Sequence, residues 1–280
     1  MAYLNGHFGE VSQLALSPLD RGFSFADGLY EAVRAYQGVW FRMEEHLARL
    51  DRGAQFLRLN QTTLPPLAEI ADTLLGLNNL DGQDALFYLQ ISRGVAPRAH
   101  AFPNPETALT CFAFVKPFSS KVEEMQQGIA AVSVADIRWL RCDIKTTALT
   151  ASILAHQEAI DRGAREALFV RDGRITEGSH TNCFGVRDGV LFTHPANHLV
   201  LSGVNRQVVL QICRREGFPV REEAFTMAEA LEVEELFVTG TTTDVTPVVR
   251  LDGQTVGNGL PGPVTRFMQE KFRDETRSIL

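Results

Sequence analysis

Asp172-Gly173, Asp188-Gly189 and Asp252-Gly253 punctuate the second half of the chain, each set between short apolar runs. An Asp-Gly pair tolerates the positive φ values of a tight hairpin turn, so this half must build antiparallel strand pairs. Strands are also expected near 129–134 and over 235–239. Two helices interrupt them. One spans 151–162 and ends at Gly163. The other spans 204–216 and ends at Gly217, and both glycines suit a left-handed C-cap. Pro263 is placed to open a terminal helix.

The first half reads differently. Residues 29–36 form a strand, Gln37-Gly38 turns, and residues 39–41 return. Met43, Leu47, Leu50, Ala54 and Leu57 then recur at helical spacing, one apolar stripe of an amphipathic helix. Residues 85–92 alternate, with Phe87, Leu89 and Ile91 on one face and Tyr88, Gln90 and Ser92 on the other. Residues 107–115 are nearly all apolar, which predicts a strand buried on both faces. Lys116-Pro117-Phe118-Ser119-Ser120 breaks the pattern. The expected division is a small N-terminal domain over 1–116, a linker over 117–120 and a larger domain over 121–280, in an α/β (α+β) fold.

A chain of 280 residues can fill two cores of ordinary size. Its formal net charge of -7, with no basic run, gives no electrostatic case for nucleic acid. No leader-like start or membrane-spanning apolar run is present, so a cytoplasmic enzyme with no membrane partner is expected. Cys111, Cys142, Cys183 and Cys213 are scattered among apolar neighbours and read as core residues. His7, His156, His194 and His198 show no metal-ligand spacing, and no metal is expected. His46 reads as packing, whereas His180, close to Glu177, is harder to assign to packing alone.

Lys145 follows the apolar Ile144 and lies near Arg138 and Arg141 in the sequence. Burial and neighbouring positive charge both lower a lysine pKa, and a neutral amine can bond to the aldehyde of pyridoxal 5'-phosphate. A single lysine is more often a solvated surface charge. The remaining motifs supply a partner for each polar corner of that cofactor. Glu177, after a hairpin strand, suits a pyridine nitrogen, or is simply a surface residue beside a turn glycine. Arg49, at the edge of the apolar helix stripe, suits a phosphate, or snorkels at the core rim. Leu201-Ser-Gly-Val204-Asn205-Arg206 leads into a helix N-terminus, and Thr239-Gly-Thr241-Thr242-Thr243 follows a strand. Both are plausible phosphate cradles. Arg98 and His100, on a proline-bearing loop, suit a carboxylate or form a basic surface loop.

The combination resembles the class IV aminotransferases, the enzymes of fold-type IV. The motifs that carry the likeness are Asp27-Gly-Leu-Tyr-Glu31, His46-Leu-Ala-Arg49-Leu50, Arg98-Ala-His100, Cys142-Asp-Ile-Lys145, Thr176-Glu-Gly-Ser179 with Asn182, Gly203-Val-Asn-Arg206 and 239–243. They span nearly the whole chain in the family's order, and the likeness is greatest to members acting on D-amino acids. The resemblance implies a barrel-like sheet in the larger domain. It implies that Lys145 holds pyridoxal 5'-phosphate as an internal aldimine and then moves the substrate proton. It places Glu177 on the pyridine nitrogen and Leu201 against the ring. Arg49 anchors the phosphate, with the backbone of Val204 and Asn205 and the hydroxyls of Thr241 and Thr242. Tyr30, Arg98 and His100 form a carboxylate trap, the last two reaching in from the partner of a homodimer. The implied reaction exchanges an amino group between a D-amino acid, D-alanine or D-glutamate, and a 2-oxo acid, 2-oxoglutarate or pyruvate. Branched-chain L-amino acid aminotransferase, (R)-amine transaminase and aminodeoxychorismate lyase share the fold and remain alternatives. Asn205, Gly240 and His180 depart from the residues common in the family, which bears on cofactor retention.

Overall fold

The computed structural model describes residues 1–60 and 64–280, and the chain divides into two compact units. The first comprises residues 1–119, 144–148 and 279–280. Its elements are β1 (Ala2–Leu4), β2 (His7–Gly9), α1 (Arg21–Phe25), β3 (Gly28–Tyr36), β4 (Val39–Trp40), α2 (Met43–Phe56), α3 (Leu67–Leu77), β5 (Ala85–Ser92) and β6 (Thr110–Pro117). The strands form one sheet in the order β2-β1-β6-β5-β3-β4, antiparallel throughout. Leu50 and Ala54 of α2, with Ile70, Ala71 and Leu74 of α3, pack on Val33, Phe87, Leu89 and Ile91. The face of β5 carrying Phe87, Leu89 and Ile91 is therefore the core face.

Strand β6 differs from expectation. It runs from Thr110 to Pro117, and from Cys111 to Val115 only alternate residues are buried. Cys111, Ala113 and Val115 face the core, while Phe112 and Phe114 lie half-buried. The aromatic rings of the other face stack on one another along the sheet surface, Tyr30 on Tyr88 and Tyr88 on Phe114. Apolar content alone cannot distinguish this face from a core face.

The second unit holds α4 (Val122–Gln127), β7 (Ile129–Ala135), α5 (Thr150–Asp161), β8 (Glu166–Arg171), β9 (Arg174–Gly178), β10 (Asn182–Arg187), β11 (Val190–Thr193), α6 (Val204–Glu216), β12 (Val220–Glu222), α7 (Met227–Glu232), β13 (Glu235–Gly240), β14 (Asp244–Leu251), β15 (Gln254–Thr255) and α8 (Pro263–Arg277). Its sheet runs β12-β11-β10-β13-β14-β7-β8-β9, with β15 beside β14. Strands β9 and β10 lie far apart in that order, yet only residues 179–181 connect them. So short a link closes only if the sheet curls back on itself, which produces the barrel-like form. The Asp-Gly turns sit where predicted, with Asp172, Asp188 and Asp252 all at φ near +50° (51°, 51° and 49°). No helix among the described residues is long and apolar enough to cross a membrane.

Phe87 is fully buried at the centre of the first core. Phe87→Ala is expected to lower stability by about 3–5 kcal/mol through lost burial and the cavity left behind. Chemical denaturation monitored by circular dichroism checks this, and a loss below about 1 kcal/mol would contradict the packing described.

Candidate active site

Lys145 sits on a short segment that belongs to the first unit. Backbone bonds hold it there: Tyr30 N–H donates to the Lys145 carbonyl (3.1 Å) and Thr147 N–H to Gly28 O (3.0 Å). The Lys145 Nζ lies 4.2 Å from the centre of the Tyr30 ring and pairs with no carboxylate among the described residues. A half-buried amine without an acidic partner is free for bonding to a carbonyl. Arg138 is taken by Asp136 and Glu177, and Arg141 by Asp143.

Arg49 does reach inward from α2. Its Nε and Nη2 bind the two oxygens of Glu31 at 2.7 and 2.8 Å. His46 Nδ1 contacts Glu31 at 2.8 Å. His46 is thus part of a polar network rather than plain packing. Burial alone would push the Glu31 carboxyl up. The charge and hydrogen bonds of Arg49, with those of His46, outweigh it and hold the carboxyl far below the usual range. This network fixes the plane of the guanidinium.

Arg98 and His100 lie exposed on their loop, both against the Phe25 ring (4.8 and 5.6 Å to its centre). Neither has a hydrogen bond or ring contact to Tyr30 or Lys145 in this chain. Arginine contacts tie this loop down. Asp27 binds the Nε atoms of both Arg21 and Arg93 at 2.8 Å, and Arg21 donates to Ala99 O at 2.6 Å. Gly94 has φ +95°, and an added Cβ would lie 2.0 Å from Ala108 O, so only glycine fits there.

In the second unit, Glu177 is 5% exposed at the end of β9. Its Oε2 accepts from Asn182 Nδ2 (3.1 Å) and from Leu201 N–H (3.0 Å), and Oε1 accepts from Arg138. Burial raises its carboxyl to about 7, with Arg138 opposing the rise. A second cation, such as a protonated ring nitrogen, would keep it ionised. Sequence reasoning gave Arg138 no role toward Glu177 and left Asn182 without one. No spacing rule links either to Glu177.

The two suspected phosphate cradles meet. Gly203 caps α6 with extended backbone and no side-chain cap, leaving the N–H groups of Val204 and Asn205 without an intrahelical acceptor. Asn205 Nδ2 donates to Gly240 O at 2.8 Å, which ties the helix start to the turn carrying Thr241 and Thr242. Thr239 Oγ1 is buried without a partner, and a Cβ on Gly203 would lie 2.2 Å from Asn182 Oδ1. This donor set fits a phosphate, and Glu177 beside it fits a pyridine nitrogen.

A curled sheet unit, an antiparallel sheet unit and this donor set define a pyridoxal-phosphate enzyme of fold-type IV. The sequence matches the amino-transferase class IV family across residues 28–251. It is 40% identical to the D-alanine aminotransferase of Staphylococcus haemolyticus, over 99% of this chain and 98% of that protein. It is 38% identical to that of Bacillus licheniformis, over 98% and 96%. The fold is similar to the Escherichia coli branched-chain amino acid aminotransferase, with a TM-score of 0.88, 26% identity, and 98% and 93% of the two chains covered. The chain belongs to the class IV aminotransferase family, and its cofactor is pyridoxal 5'-phosphate.

Glu31→Gln is expected to cost about 3–5 kcal/mol by removing the negative charge that offsets the buried Arg49 guanidinium. The folded-state pKa of Glu31 lies below its unfolded value, so its contribution is present above the latter and is lost as pH falls through the former. The stability gap between wild type and Glu31→Gln should hold constant down to about pH 5 and narrow below about pH 4. Denaturation midpoints across pH test this, and a gap that widens on acidification would contradict it.

Proposed function

We propose that the protein transfers amino groups between D-amino acids, D-alanine and D-glutamate foremost, and the 2-oxo acids pyruvate and 2-oxoglutarate. The observation that carries this reading is the full-length likeness to D-alanine aminotransferases, joined to a free Lys145 amine and a buried Glu177. Pyridoxal phosphate supplies an electron sink for the electrons released when the substrate α-proton leaves. The remaining work falls to the side chains. Lys145 would hold the cofactor through its Nζ, and the same amine would move the proton at the substrate α-carbon. Glu177 keeps a proton on the ring nitrogen, and Leu201 borders the ring while its N–H steadies Glu177. Arg49, the N–H groups of Val204 and Asn205, and the hydroxyls of Thr241 and Thr242 anchor the phosphate. Tyr30, Arg98 and His100 receive the substrate carboxylate, which turns the α-hydrogen of a D-substrate toward Lys145.

The carboxylate trap needs a homodimer with shared active sites, in which Arg98 and His100 serve the partner's Lys145. Their exposure in one chain supports this. So do the exposed apolar side chains of Ile137, Leu140, Ile153 and Leu154, which a subunit contact would cover. The cytoplasm is the proposed location. The likeness in fold to a branched-chain L-amino acid aminotransferase keeps that activity as the second reading. The Arg98–His100 pair favours the first.

Arg98→Ala is expected to raise KM for D-alanine and D-glutamate by about tenfold or more, the loss of one charge-assisted carboxylate contact, with cofactor content unchanged. Steady-state kinetics test this, and unaltered KM would remove Arg98 from the trap. Lys145→Ala should lose the borohydride-reducible bond to the cofactor, read by peptide mass. A surviving bond would place the attachment elsewhere.

A further inference from the structure

His156 of α5, Glu166 at the start of β8 and His180 in the β9–β10 turn are separated in sequence but converge in space. One ligand-type atom from each lies within 4.8 Å of the others. The two imidazoles stand nearly perpendicular, 5.1 Å between centres. Their Nδ1 atoms both face the Ser179 hydroxyl, at 3.3 Å for His156 and 3.0 Å for His180. Ser179 Oγ lies 2.5 Å from Glu166 Oε1, so its single proton goes to the carboxylate. His180 Nδ1 also lies 3.4 Å from Glu166 Oε2.

The Glu166 side chain is 2% exposed, and among the described residues its only ion-pair partner is His180, which is charged only if protonated. Ala167 N–H, Ser179 N–H and the Thr181 hydroxyl also donate to it. A buried carboxylate with hydrogen bonds but no permanent cation gains from a metal ion. His156 is partly buried and stands against the His180 ring.

We propose that His156, His180 and Glu166 form a binding site for a divalent transition metal of the zinc type, with a fourth position open to water. Two imidazoles and a carboxylate are the ligand set such ions prefer over magnesium or calcium. Tetrahedral binding at metal–ligand distances of about 2.0–2.2 Å needs ligand atoms roughly 3.3 Å apart. The exposed His180 ring can turn to close that gap. The bound ion would pin α5 to the turn that follows Glu177, a cross-link separate from the amino-transfer chemistry. The site holds His180, one of the three departures from the family pattern.

The test is calorimetric titration of the cofactor-loaded enzyme with Zn2+, repeated on His156→Ala and on His180→Ser, each verified as folded by circular dichroism. One saturable equivalent per chain is expected in the wild type. Each variant should bind at least about tenfold more weakly, as expected for loss of one ligand. Zn2+ should raise the wild-type Tm and, at the same concentration, move that of His180→Ser less. Absence of binding by the wild type would overturn the proposal. So would equal binding by both variants, which would place the ion on the cofactor or elsewhere. His180→Ser alters an exposed side chain, so it remains informative if His156→Ala does not fold.

Discussion

Glu177 sets the constraint around which the second unit is arranged. Its carboxylate is buried deeply enough that its proton affinity rises toward neutrality. Such a group persists as an anion only with donors and a cation around it. Asn182 and the Leu201 backbone supply the donors, and Arg138 supplies positive charge. Asn182 also donates to Leu201 O at 2.8 Å, so one side chain fixes both the acid and the loop that leads to α6. The helix start, its cradle and the Gly240 turn follow from that loop. Gly178 has to be glycine for a related reason. A Cβ there would lie 2.0 Å from Thr181 Oγ1, in the same turn that links β9 to β10.

The first unit solves a similar problem independently. Arg49 would be costly to bury alone, and Glu31 with His46 makes the burial tolerable. Asp27 plays the same part for Arg21 and Arg93 at the base of the loop bearing Arg98 and His100. In the first unit, Arg49 and the base of the loop bearing Arg98 and His100 are held by carboxylates that are themselves assigned to no ligand. Rigid placement of this kind lowers the entropy lost when a charged substrate binds.

Much of this was legible in the chain. The α2 stripe, the β5 alternation, the Asp-Gly turns and the glycines closing α5 and α6 are local signals, and local geometry enforced them. Helix α3 was missed. Its stretch begins just after Pro65-Pro66, carries a glycine at Gly76, and its Leu-rich pattern lacks the polar contrast that marked α2. The site motifs were legible as a set because their order matched a known family. Their supports were not. Arg138 joins Glu177 across 39 residues and Glu31 joins Arg49 across 18, and no periodicity encodes such pairs. The return of Lys145 to the first unit rests on backbone bonds to β3, which side-chain identity does not announce. His156, Glu166 and His180 likewise gain meaning only once the curled sheet brings them together.

D-amino acids, rather than L-amino acids, are the substrates proposed to reach Lys145 on this scaffold. The most direct measurement mixes the cofactor-loaded enzyme with D-alanine or with L-leucine, without any 2-oxo acid, and follows the visible band of the lysine-bound cofactor. Loss of the band with D-alanine, and its persistence with L-leucine, is the predicted result. Loss with L-leucine alone would leave the fold and Lys145 in place but contradict the stereochemical reading and the role given to Arg98 and His100.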